Sequence, residues 1–151
     1  MRTARFCGEQ LYAAVDSRRQ ELGLSWAAVA RQIGVALSTL KRTQQNGPME
    51  TDGILSMTRW LGRPPEDFVV GALPNENPVI PKGRFNTKKL YEALDGYRSD
   101  KGMSWRELAD DIGCASPAML THLAKGGRVE FGLMIAALTK LRRPISSFTQ
   151  P

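Results

Sequence analysis

Apolar side chains recur every three or four positions along most of the chain, the spacing of helices that bury one stripe. Leu11, Tyr12, Val15, Arg19 and Leu22 follow it, and the segment stops at Gly23, which accepts the positive φ of a helix C-terminus. Ser25 stands where an N-cap is needed, and WAAVARQIG predicts a short helix with Trp26, Val29, Ala30 and Ile33 on one face, closed by Gly34. A third helix is expected from Leu37 through Thr39, Leu40 and Lys41 toward Asn46 and Gly47. Thr51 is placed to cap a fourth that carries Ile54, Leu55, Thr58 and Leu61, and Pro64 or Pro65 to open a last turn burying Phe68. The same order returns later: Leu90, Tyr91 and Leu94; Ser104 to Ile112; a helix capped by Ser116 with Pro117 in its first turn; Val129 to Leu141; and Pro144 to Phe148. No alternating run is long enough to predict a strand, so the expected fold is all-α with five helices in each half.

The recurrence is a sequence repeat. Shifting the chain by 79 residues lays residues 5–40 on residues 84–119 with 14 of 36 positions identical, against about two expected from average composition. The identities include Arg5 with Arg84, Phe6 with Phe85, Tyr12 with Tyr91, Ser25 with Ser104, Trp26 with Trp105, Ala30 with Ala109 and Gly34 with Gly113. After one inserted residue Leu61 pairs with Leu141, Pro64 with Pro144 and Phe68 with Phe148. The predicted organisation is a unit over 1–70, a linker over 71–83 and a second unit over 84–151. The linker, GALPNENPVIPKG, has three prolines and two asparagines, which suit an exposed extended segment. At about 3.1 Å per residue it would reach about 40 Å, against the roughly 34 Å between major grooves one turn apart on one face of DNA.

In each unit the second and third helices are short and joined by a turn that begins with glycine, the helix-turn-helix arrangement. Ala30 or Ala109 allows a close crossing, and Ile33 with Leu40, or Ile112 with Met119, is expected to close the core between the two helices. From these residues, SWAAVARQIGVALSTLKR followed by NG and a capped apolar helix ending in LGRPPEDF, the chain resembles the lambda-repressor-like (Cro-type) helix-turn-helix family of phage and bacterial regulators. SWRELADDIGCASPAML is similar to the same family, and together the two copies cover about 130 of the 151 residues.

The resemblance implies a third helix lying in the major groove, with the start of the second helix and the following loop at phosphates. Carried over by position, the DNA-binding candidates are Leu37, Ser38, Lys41 and Arg42 in the first copy and Ser116, Pro117 and Thr121 in the second. Family members commonly place an amide at the first two of these sites. Leu37 and Pro117 cannot hydrogen-bond a base through their side chains, which leaves apolar contact such as with a thymine methyl. Trp26 and Trp105 replace the family's phosphate-contacting glutamine; an indole N–H can donate to a phosphate, the alternative being that both rings pack on the first helix as core.

Charge sharpens this picture only modestly. The formal net charge of +6 divides into +2 for residues 1–70, 0 for 71–83 and +4 from Arg84 onward, an excess that favours a polyanionic partner without requiring one. Arg31, Lys41 and Arg42 give the first copy cations near its third helix, whereas the second has Asp110 and Asp111 beforehand and Met119, Leu120 and Leu123 within, with His122 and Lys125 as polar reach. The first copy is therefore expected to be the main reader, and the second to make weaker contacts or to pack against the first copy or another chain. Arg2 and Arg5 as an arm, Lys88 and Lys89 at phosphates, and Leu120 with Leu123 as a partner stripe are secondary candidates, as is a dipole-offsetting role for Arg142 and Arg143.

Catalytic chemistry finds no footing. The chain has one histidine, no phosphate loop after a strand, and two cysteines, Cys7 and Cys114, at unrelated repeat positions, read as buried reduced thiols. Asp110 and Asp111 point about 100° apart on a helix, the wrong disposition for a carboxylate pair. No enzyme activity, metal or cofactor is expected. No apolar run approaches the roughly 18 residues of a membrane span, and MRTARFCGEQ lacks a secretory core, so a cytoplasmic location is expected. The expected function is a sequence-specific DNA-binding transcriptional regulator of repressor type, its partner double-stranded DNA, with tandem domains standing in for a dimer. A homodimer or protein partner through the second copy stays open, and so does the alternative of a protein-interaction module, an antitoxin or adaptor, that keeps the fold without strong DNA binding.

Overall fold

In the computed structural model, which describes residues 4–71, 79–113 and 116–150, several helices start or stop where a side chain or a left-handed residue completes the backbone's hydrogen bonding. Helix α1 (Gly8–Leu22) ends at Gly23, whose φ of 67° lets its N–H and that of Leu24 bond back to Gln20 and Arg19. In α2 (Trp26–Ile33) the Ser25 hydroxyl accepts from the Ala28 N–H, and Gly34, at φ 88°, ends the helix. Helices α3 (Leu37–Gln44), α4 (Thr51–Leu61) and α5 (Thr87–Asp100) follow. In α6 (Trp105–Ile112) Ser104 and Glu107 each accept the other's N–H, a full capping box. Ser116 caps α7 (Pro117–His122), with Pro117 in its first turn, and α8 (Phe131–Leu141) comes last. The chain is mostly helical, as its periodicity predicts.

Several expectations need correction. Strands exist, although each has two residues: β1 (Arg5–Phe6) pairs antiparallel with β2 (Val69–Val70), and β3 (Arg84–Phe85) with β4 (Thr149–Gln150). Ladders this short have no periodicity to read; each joins the first and last residues of one half. The fifth helix of each half is a 3-10 turn, Pro65–Phe68 and Ile145–Phe148, which buries its phenylalanine. Glu50, not Thr51, holds the N-cap position of α4; the Thr51 hydroxyl instead donates to the Val129 carbonyl at 2.9 Å.

The inserted residue falls between α6 and α7. Three residues separate α2 from α3 and four separate α6 from α7, so the halves correspond at a shift of 80 from there on. Leu120 therefore takes the place of Leu40 in the core at 0% exposure, while Met119, expected to close that core, is 43% exposed. Leu120 and Leu123 are core residues rather than a partner stripe.

The two halves share one core. Phe131, Leu133, Met134, Ile135, Ala136, Ala137 and Leu138 of α8 are all buried, because that helix is covered by its own half on one side and by the first half on the other. The Thr51 N–H donates to the Val129 carbonyl at 2.9 Å and the Phe131 N–H to the Met49 carbonyl at 2.7 Å, around an antiparallel bridge between Glu50 and Glu130. These are the same three positions of the repeat, so the bridge lies on a local two-fold axis. The N-terminal segments cross over it in the same sense. Phe6 meets Phe131 edge-on at 4.8 Å, and the Phe85 N–H donates to Asp52 at 2.8 Å. Arg59 donates to the carbonyls of Pro81 and Gly83, anchoring the end of the linker on α4. Pro74 and Pro78 lie outside the described residues.

Candidate nucleic-acid interface

The Ala30 carbonyl accepts from both the Gly34 and Val35 N–H groups, which turns the chain sharply out of α2 and into α3. The inner side of α3 buries Leu40 and Thr43; the Thr43 hydroxyl donates to the Thr39 carbonyl at 3.1 Å and faces the sulfurs of Met49 and Met57. Leu37, Ser38, Lys41 and Arg42 are thereby left exposed. A Cβ at Gly47 would come within 2.9 Å of Arg42 Cγ, so the absence of a side chain there makes room for the arginine stem. The loop after α3 is tied down as well: Asn46, left-handed at φ 56°, accepts the Glu9 N–H through Oδ1 at 3.0 Å.

In the second half the register correction reassigns the outer face. His122 stands where Arg42 stands in the first half, and Thr121 where Lys41 stands. Ser116 and Thr121 are exposed and Pro117 is half-buried. The Thr121 hydroxyl donates to the Pro117 carbonyl at 3.1 Å, so its proton is spent on backbone and only its oxygen can accept from a ligand. An apolar groove of about 310 Å³ runs between α7 and α8, lined by Ala118, Met119, His122, Val129 and Leu133 together with Arg128. Asp111 pairs with Lys140 at 3.2 Å, which leaves Asp110 as the uncompensated acid of that pair among the described residues.

Trp26 and Trp105 are half-buried in matching stacks. Tyr12 lies parallel to Trp26 at 4.9 Å, and the Arg19 guanidinium sits 4.8 Å from the same ring, held by Asp16 and the Leu24 carbonyl. Tyr91, Arg98, Asp95 and the Met103 carbonyl repeat this around Trp105. Both rings therefore pack on the first helix of their half. Neither indole N–H has a protein acceptor among the described residues, so the donor at the exposed edge is unspent. The stack was readable in advance as Tyr, Asp, Arg and Trp at identical repeat positions, a set of identities that periodicity alone does not interpret.

Other cations lie elsewhere on the surface, and of them Arg128 shares a lining with Arg42 of α3 and with Met119 and His122 of α7. Arg128, with its side chain 83% exposed, stands 3.4 Å from Glu50 beside the two-fold axis and was not singled out from the sequence. A cleft of about 520 Å³ is lined by Arg84, Lys88 and Lys125 with Asp52 and the Gly126–Gly127 turn. Arg5 is exposed on β1, Lys89 lies 5.9 Å from the Phe148 ring, and Arg143 packs on the same ring at 4.4 Å. Cys7 is a half-buried free thiol rather than a buried one; Arg2 and Cys114 lie outside the described residues. Among the described residues no three His, Cys, Asp or Glu side chains converge as a metal site, and no helix is long and apolar enough to cross a membrane. Comparison of the chain with protein-family models, curated proteins and solved structures finds no match.

Proposed function

We propose that the chain is a sequence-specific regulator of repressor type that binds double-stranded DNA through two lambda-repressor-like helix-turn-helix units acting as a pseudo-dimer within one polypeptide. The observation that carries this reading is α3: a two-turn helix whose inner face is core and whose outer face offers Ser38, Lys41 and Arg42 to solvent after a three-residue glycine turn. That is the size, exposure and charge a major-groove reader needs. The unspent indole donors and the cations around Lys88, Lys125 and Arg128 supply phosphate contacts on either side. Regulation then follows from occupancy, since a bound chain excludes other proteins from its site.

Titrating fluorescent duplexes at several salt concentrations tests the reading. Affinity should fall steeply with salt, because neutralised phosphates release counterions; a flat dependence argues against it. One observation favours a second reading, a protein-interaction module of antitoxin or adaptor type. Met119 is 43% exposed on α7 beside the apolar groove, which suits a protein contact better than a polar groove of DNA. A stable protein complex from a chain without salt-sensitive duplex binding would decide for that alternative.

A further inference from the structure

We infer that the groove between α7 and α8 binds a small amphipathic carboxylic acid, its apolar body against Met119 and Leu133 and its carboxylate on Arg128, and that occupation releases duplex DNA from the second half. The release rests on the DNA-binding reading above; the acid site does not.

The two copies differ at this place in a concerted way. The first half has a cavity of about 370 Å³ here, with Thr39, Arg42 and Gly53 in its lining. Where the first half carries Ser38, Thr39, Thr43 and Gly53, the second carries Ala118, Met119, Leu123 and Leu133. All four line one groove of about 310 Å³, together with Val129. Each difference removes a hydroxyl or adds hydrocarbon, and together they turn a polar recess into an apolar one. Leu123, Val129 and Leu133 are at most 5% exposed, so the core holds these walls in place before any ligand arrives.

Charge and size select the occupant. Glu130 lines the groove, but its two carboxylate oxygens accept the Gly132 and Leu133 N–H groups at 3.0 and 2.9 Å, so its charge is spent on the start of α8. Arg128 stands where the first half has Pro48. Its Nε lies 3.4 Å from Glu50, and its terminal N–H groups have no protein acceptor among the described residues, which leaves them for a ligand carboxylate. A volume of about 310 Å³ is at the small end of ligand pockets, which run from about 300 to 1,000 Å³. A protein partner needs about 800 Å² on each side, and of the large apolar side chains exposed among the described residues only Met119 lines the groove. The groove therefore suits a small molecule. Met119 and His122 lie on α7, and Arg128 is among the cations assigned to phosphates above. A bound acid covers the first two and neutralises the third, so acid and duplex each weaken the other's binding.

NMR of the whole chain labelled with methyl-13C methionine reads the site through Met119, whose resonance is identified by its loss in M119T. Sodium octanoate should shift Met119 and the His122 ring saturably; 1-octanol should bind about tenfold more weakly, and acetate should give no shift. R128A should bind octanoate about tenfold more weakly, down to the level of octanol, with octanol binding unchanged. The double variant A118S/M119T, which carries the first half's side chains, should lose the octanoate shift of His122 while keeping the parent's unfolding temperature. Equal affinity for octanol and octanoate, an R128A protein that binds octanoate as the parent does, or shifts spread over all six methionines would each overturn the site. So would self-association that M119T abolishes, which gives the groove to a second copy. In duplex titrations at constant ionic strength, octanoate and not acetate should weaken binding by the parent, and R128A should lose most of that response. Octanoate bound at Met119 with duplex affinity unchanged would overturn the release and leave the site. No binding to any duplex would remove the underlying reading, and the release with it, while the acid site stands.

Discussion

Leu40 and Arg42 on α3, and Met119 and Leu120 on α7, show how nearby positions on a short helix divide between solvent and core. Arg42 is exposed, and its stem is accommodated by the missing side chain at Gly47. If it reads a base, R42A should weaken binding of the selected duplex by about 1–3 kcal/mol and relax specificity at one position, whereas K41A should weaken all sequences alike and lower the salt slope by about one. Fluorescence anisotropy across matched and mismatched duplexes separates the two. On α7 the buried residue is Leu120 at 0% exposure, and its neighbour Met119 is 43% exposed. L120A should cost about 2–5 kcal/mol through cavity formation, and M119A should stay within about 0.5 kcal/mol, both by urea denaturation. A reversal of that order would restore the uncorrected register.

Helix ends carry the clearest difference between the copies. α4 terminates at Gly62 with φ 70°, and the equivalent residue after α8 is Arg142, held left-handed at φ 57°. An L residue with a side chain meets steric resistance in that conformation, so R142G should raise stability by about 0.5–1 kcal/mol and G62A should lower it by about 1 kcal/mol. Thermal unfolding of the two variants checks both signs. The fourth helices differ along their length too. α4 interrupts its apolar residues with Asp52, Ser56 and Arg59, two of which reach across to the second half or the linker, while α8 from Phe131 to Leu138 is apolar on every side. A helix of that composition is covered all round. Read in that way, α8 already announced a second surface beyond its own half.

Cooperativity is the consequence at full length. With Phe6 on Phe131 and Met49 and Val129 both buried at the axis, neither half keeps a complete apolar core without the other. F131A should cost about 3–5 kcal/mol and should destabilise both halves together. In a W105F protein the remaining tryptophans, Trp26 and Trp60, report the first half alone. Their fluorescence should follow the same denaturation midpoint as far-UV circular dichroism, as one two-state transition requires. Two separated midpoints would show the halves to unfold independently.

Local chemistry was enough to place most helices, because a stripe, a hydroxyl cap and a glycine stop act within one or two turns of backbone. Ser25, Gly34, Ser104 and Ser116 do in the fold what their positions imply. The repeat was legible for the same reason, as was the polar face of Ser38 with the cations Lys41 and Arg42, all exposed. What local chemistry could not reach are the features made by segments far apart in the chain. The two-residue ladders, the bridge between Glu50 and Glu130, the place of the inserted residue before α7 and the position of Arg128 beside the bridge all depend on which segments meet across the core. Such pairings are chosen by the joint burial of Phe6, Phe131, Met49 and Val129 rather than by any residue's own preference. The sequence alone therefore determined the helices and their duplication, and the tertiary packing decided that the two copies face each other around an axis.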